Sequence, residues 1–141
     1  MLTGSREGGT ATWLKCKIYA RKEHIEIHRE KLSEAIQASL VEALNYPPEK
    51  RFQRFIPLDA ADFIYPDDRS REYTIIEISL FQGRSLSAKK ALIRALYRNI
   101  ATACAIQDQD VEITLFETPR EHWGIRGVTG DELTLNYKVE V

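Results

Sequence analysis

One plan appears twice along this chain, and that doubling limits the fold more than any other feature. A strand pattern, an amphipathic helix pattern and a second strand pattern run over about residues 12–58 and again over about 73–117. An offset of 59 residues places Lys31 on Lys90, Leu44 on Ala103 and Arg51 on Asp110, so the match is one of architecture more than of identity. In the first copy "WLKCKIY" alternates Leu14, Cys16 and Ile18 against Lys15, Lys17 and Tyr19, the period of a strand with one buried face. A helix is predicted from about His28, with Leu32, Ala35, Ile36, Leu40, Ala43 and Leu44 at spacings of three and four, ended by Pro47 and Pro48. "RFQRFIPL" reads as the second strand, and "DAADFIYPDDRSRE" as a loop with a solvated, self-paired surface. In the second copy "YTIIEISLF" and "DVEITLF" are strands. Between them "SLSAKKALIRALYRNIATA" carries an apolar stripe at Leu92, Ala95, Leu96 and Ile100.

Each crossover is long enough to join parallel strands, and the right-handed rule puts the helix on one face. The predicted class is α+β: tandem β-α-β units forming a four-stranded mixed sheet with two helices on one face. A ferredoxin-like sheet fits the same element order. Ile75 and Phe81 point away from Ile76, Ile78 and Leu80, leaving a partly apolar sheet face that another subunit would cover. The segment 118–141 is read as a C-terminal extension. It ends in "LTLNYKVEV", which alternates as an edge strand, pairing either on its own sheet or across a subunit boundary.

The 141 residues suit a single domain over 12–141, preceded by a flexible tail over 1–11 rich in Gly, Ser and Thr. Hydrophobic residues at 43% and charged residues at 29% are those of a folding chain. Twenty Lys plus Arg against 21 Asp plus Glu give a net charge of −1 and no general attraction to nucleic acid. The absence of a long apolar run speaks against a membrane partner, and the reading is of a cytoplasmic protein. Cys16 and Cys104 sit in apolar segments and are expected as buried thiols. No cofactor motif is present. His24, His28 and His122 are read as non-ligating, with the charged "RKEHIEIHREK" exposed at the helix entrance, so no metal is expected.

Two stretches carry candidate binding residues. At "LFQGRSL" a strand passes into a helix, and Arg84 stands at a helix start, where the local dipole disfavours a cation unless an anion completes the site. Its guanidinium would grip a carboxylate, with Ser85 as the helix cap, or would pair with an acid of a neighbouring subunit. "PREHWGIRGVTGDE" offers His122, Trp123 and Arg126; Trp123 would either wall a pocket for a small planar acid or anchor the C-terminal arm.

Taken together, the doubling, "GRSL", "PPEKRFQ", "VEITLFE" and "EHWGIRG" resemble the tautomerase superfamily. The similarity is greatest to its malonate semialdehyde decarboxylase-like branch of fused strand-helix-strand pairs. The resemblance spans about residues 12–127 and implies a MIF-like fold and a homotrimer. It also implies a site for a small oxo or enol carboxylate and tautomerase or decarboxylase-like isomerase chemistry without a cofactor. In that family an amino-terminal proline, its amine made basic near neutrality by an apolar pocket, carries the proton. Thr12 stands in its place here, with eleven residues ahead of it. The branch's "RGR" is Gln82, Gly83, Arg84 in this chain, and the position just before "RFQ", where the branch has an acid, is Lys50. The resemblance therefore assigns substrate binding to Arg84, Trp123, Gln82 and Arg126 and no catalytic residue. Two functions stay open: an enzyme working without the proline, and a trimeric binding or structural protein that retains the scaffold.

Overall fold

The computed structural model describes residues 13–133. Strand β1 (Leu14–Arg21) leads directly into helix α1 (Lys22–Leu44), and β2 (Gln53–Leu58) follows. The second unit is β3 (Thr74–Phe81), α2 (Leu86–Cys104) and β4 (Val111–Thr118). A small hairpin of β5 (Gly124–Ile125) and β6 (Val128–Thr129) comes after them. The main sheet has the order β2-β1-β3-β4. Within each unit the strands are parallel, and the units meet at an antiparallel β1–β3 seam, which makes the sheet mixed as the doubling predicted.

The repeat is tighter in space than in sequence. Leu14 to Thr74 at the strand starts and Leu44 to Cys104 at the helix ends are both 60 residues, one more than the sequence offset. Cys16 pairs with Gln53 and Thr74 with Val111, 37 residues apart in both units. Both helices also end alike, on left-handed Asn45 (φ 54) and Ala105 (φ 58), followed by buried Tyr46 and Ile106. After α1 this is a reversed-turn cap: Asn45 N–H donates to Val41 O and Tyr46 N–H to Leu40 O, two residues ahead of the proline pair.

Helix α1 begins at Lys22, not at about His28. The charged look of "RKEHIEIHREK" hides a stripe: Ile25 and Leu32 are fully buried, and His24 lies buried beside them. The histidines are therefore packed against the second unit instead of being exposed at the helix entrance. Leu14, Cys16, Ile18, Ile76, Ile78 and Leu80 of the seam close against Leu32, Ile36, Leu40, Leu92, Leu96 and Ile100 of the helices. Both cysteines are buried there as free thiols. The helices are tied at their outer edge by Arg98 to Glu42 and by Asn99 Nδ2 donating to Ser39 Oγ (2.9 Å).

The other sheet face carries Lys15, Lys17, Tyr19, Ile75, Glu77 and Phe116, with Phe116 47% exposed. In the connecting loop Asp68 and Arg69 pair at the surface (2.7 Å), as its mixed charge predicted. Of the edge strand read over 133–141, only Leu133 is described, in a helical turn at 130–133; the rest lies outside the described residues.

Candidate functional site

The antiparallel seam decides which residues share an end. The start of β1 meets the end of β3, since Leu14 pairs with Leu80, and the start of β2 and the end of β4 lie at the same level. The α1 C-terminus, the α2 N-terminus and the β5–β6 hairpin gather there too. Of the sequence-predicted residues, Arg126 reaches the ring of a residue that the sequence reading passed over, Trp13, and Trp123 packs with Trp13 on the same small cluster.

Trp13 precedes β1, and its ring packs on Phe52 with centroids 5.6 Å apart. Two cations reach the same ring: Lys50 Nζ at 4.3 Å from the centroid and Arg126 Cζ at 5.5 Å. Among the described residues neither cation has a carboxylate within ion-pair distance. Burial, and then the neighbouring Arg126 charge, hold the Lys50 ammonium below the usual lysine range. The Trp13 indole Nε1 is buried and among the described residues meets no hydrogen-bond acceptor, an arrangement that normally calls for one.

Arg126 reaches Trp13 because it occupies a two-residue reversal. It has φ 51, Gly127 has φ 91, and Ile125 pairs with Val128 on either side. Two successive positive φ angles are what such a hairpin needs, and glycine meets the second without a Cβ penalty. Trp123 stands edge-on to Phe81 (5.1 Å, 88°) with Lys15 Nζ 5.1 Å over its ring. Phe81, Ile125 and Leu133 form a second small core with Trp13, Trp123 and Val128 packed on it. Trp123 thus anchors the hairpin, the structural role weighed for it, while its neighbour Trp13 carries more of the cationic surface.

Arg84 lies on the helix side of this end. Gly83 (φ 122) turns the chain out of β3, and Ser85 caps α2 by accepting from Ala88 N–H (3.1 Å). Arg84 Nη1 donates to Leu44 O at the C-terminus of α1 (3.3 Å). A cation placed at one helix start is thereby matched to the negative end of the other helix. Burial keeps the guanidinium somewhat below its ordinary range, and the Tyr46 hydroxyl opposes that shift. That hydroxyl is itself buried, beside the Leu14 backbone and Arg84, and among the described residues has no hydrogen bond of normal geometry. Gln82 is exposed, and its backbone N–H extends the β3–β4 ladder by donating to Thr118 O (3.0 Å). Thr12 lies outside the described residues.

Sequence reasoning missed Trp13, Lys50 as a cation in its own right, and Tyr46. A signal existed for the first: an aromatic residue directly ahead of a strand start, next to the position where the resembled family keeps its reacting group. For Lys50 and Arg126 none existed, because 76 residues of sequence separate two cations that share one ring.

A tandem β-α-β sheet backed by two helices, with cations and aromatics at the end where β1 begins, defines a protein of the tautomerase fold. Comparison with known proteins agrees. The family profile described as "Tautomerase enzyme" matches residues 50–126. "Probable tautomerase YusQ" of Bacillus subtilis (strain 168) is 30% identical over 112 residues, covering 76% of this chain and 88% of that protein. The 2-hydroxymuconate tautomerase of Comamonas testosteroni is 35% identical over 57 residues, 40% of this chain and 90% of that protein. Among solved structures, malonate semialdehyde decarboxylase superposes with a TM-score of 0.75 at 20% identity, covering 86% of this chain and 98% of that one. The chain belongs to the tautomerase superfamily. No helix among the described residues is long and apolar enough to cross a membrane.

Proposed function

We propose that this end of the sheet binds a small oxo or enol carboxylate and interconverts its tautomers. The observation that carries the reading is the pair of cations, Lys50 and Arg126, over the Trp13 ring, with no carboxylate of the described residues in ion-pair contact with either. An acid supplied from outside would lie between them, and the buried indole N–H of Trp13 would donate to one of its oxygens. Lys50 takes the proton-carrying role as acid first: its ammonium, held below the ordinary lysine range and so readier to release a proton, protonates the carbon of the enol, and the amine left behind takes up the proton released by the enol oxygen. Arg84 and Arg126 hold charge developing on the substrate oxygens, Trp123 and Gln82 border the site, and no cofactor enters the reaction. Activities named for relatives, 2-hydroxymuconate tautomerisation above all, support this substrate class.

The assembly that completes the site is a homotrimer. Support comes from the partly apolar outer sheet face with Phe116, and from fused tautomerases of similar fold described as trimers. One such structure has a TM-score of 0.76 at 20% identity.

A second reading is a binding protein that has kept the scaffold without turnover. Exposed Gln82 and the cation Lys50, standing where the resembled branch has an arginine and an acid, favour it. Ultraviolet monitoring of 2-hydroxymuconate ketonisation by the purified full chain separates the two. Turnover above the buffer rate that Lys50→Met abolishes supports the enzyme. Calorimetric binding without turnover leaves the scaffold reading, and neither binding nor turnover removes the site.

A further inference from the structure

The 60-residue repeat gives the sheet a second end built from equivalent positions. By that offset Arg84 corresponds to His24, Trp13 to Tyr73, and position 12, where the family keeps its reacting group, to Glu72. The seam register exchanges the two ends, since Leu14 pairs with Leu80 and Ala20 with Thr74. One end collects cations around an indole. At the other, the same frame collects two imidazoles and a carboxylate.

His24 and His28 are one turn apart on α1, with ring centroids 4.5 Å apart. Glu72 comes from the segment that leads into β3, and His28 Nε2 is 3.7 Å from its Oε2. One donor atom from each of the three residues lies within 4.8 Å of the other two. Among the described residues, no hydrogen bond joins the two rings, so two lone-pair-bearing groups are pressed together with nothing shared between them.

A hydrogen-bond chain fixes which nitrogen of His24 is available. Thr74 Oγ1 donates its one proton to Glu72 O (2.8 Å), so at its 3.0 Å contact with His24 Nε2 it must accept. Nε2 therefore carries the hydrogen, and Nδ1 presents a lone pair. Metal-binding histidines ordinarily have their second nitrogen held this way by an oxygen. Here the holding group is a hydroxyl tied back to the backbone of the third ligand's own residue. Asp110 is occupied elsewhere, accepting from Ser70 N–H (2.7 Å) and Ser70 Oγ (2.6 Å).

We propose that His24, His28 and Glu72 bind a divalent transition-metal ion such as zinc, at the end of the sheet opposite Arg84. Two imidazoles and one carboxylate are a ligand set that zinc takes with a fourth position open to water. Bonds of roughly 2.0–2.2 Å bring the donors closer than their present spacing, a change that rotation of the half-exposed Glu72 and of His28 supplies. The ion would fasten the first turns of α1 to the entry of β3. This inference is independent of the carboxylate site.

The test is titration of the metal-free full chain with zinc by calorimetry, with cobalt(II) absorption as the second readout, for the parent and for His28→Ala and Glu72→Gln. The expected result is one ion per chain, a tetrahedral cobalt spectrum, and affinity at least ten-fold weaker in both variants. Zinc should also raise the melting temperature of the parent more than that of either variant. Both altered side chains are partly exposed, and unchanged melting of the metal-free variants verifies that they fold. Absence of binding at 1 mM zinc, or binding that either variant leaves unaltered, overturns the proposal in favour of a plain His28–Glu72 ion pair.

Discussion

Lys50 Nζ stands 4.3 Å above the centre of the Trp13 ring, joining the loop after α1 to the residue that opens β1. Contacts of this kind contribute about 0.5–2 kcal/mol, and more of it where water is excluded. Lys50→Met keeps the apolar stem and removes the charge. Affinity for a small oxo carboxylate, measured calorimetrically, should fall ten-fold or more, and a change below two-fold would take Lys50 out of the site.

Arg84 is partly committed to α1 through Leu44 O. In Arg84→Met that carbonyl loses a charged donor, at a cost of about 1.5–3 kcal/mol. Urea denaturation should show the loss with an unchanged slope. Ser85→Ala, which removes the cap on Ala88 N–H and the contact with Ser87 Oγ, should cost about 1 kcal/mol and leave ligand binding intact.

Gly130 has no room for a side chain. A Cβ there would lie 2.6 Å from Arg120 O and 2.8 Å from Phe81 Cζ. Backbone and a packed ring cannot both yield, so Gly130→Ala should destabilise by about 1–3 kcal/mol. Hydrogen exchange is the informative measurement: faster exchange confined to about residues 120–130 is expected, and uniform protection would refute the contact's importance.

His24 should make stability depend on acidity. Burial first, then the nearby His28 charge, lower its pKa from 6.5 to about 4, while Asp110 opposes the shift. Between these values the unfolded chain binds a proton that the folded chain refuses, so stability rises with pH across the window. It is complete above pH 6.5 and falls as pH drops toward 4, by on the order of 3 kcal/mol at 1.36 kcal/mol per unit. With chelator present, melting curves of the parent should show this slope in excess of His24→Gln; parallel curves would disprove it.

Cys16 is fully buried, and desolvation pushes its thiol up to about 12. Neutral iodoacetamide should leave it unlabelled in the native chain and label it promptly in urea. Native labelling would mean that the β1 core opens more readily than its packing implies.

The regular elements were legible because each is local. Alternation in "WLKCKIY" and "YTIIEISLF" needs no knowledge of the partner strand, and Ser85 announces its cap three residues from its donor. Pairings across the fold were not legible. His24 meets Thr74 fifty residues on, so "RKEHIEIHREK" has the composition of a surface although it forms the first turns of α1. Arg84 was recognised as an oddity, but its target is a backbone carbonyl, and carbonyls leave no mark in a sequence. Trp13, Lys50 and Arg126 come from three separate segments and converge only once the hairpin turns at Arg126 and Gly127.

The β1–β3 seam has one more consequence. The two β-α-β halves are joined covalently only through the connection over residues 59–73, while their contact runs through seven strand pairs and the helix packing above them. A protease nick in that bridge would leave two peptides still gripping each other. Such a nicked molecule should travel as a single particle on a sizing column and fall apart only in denaturant.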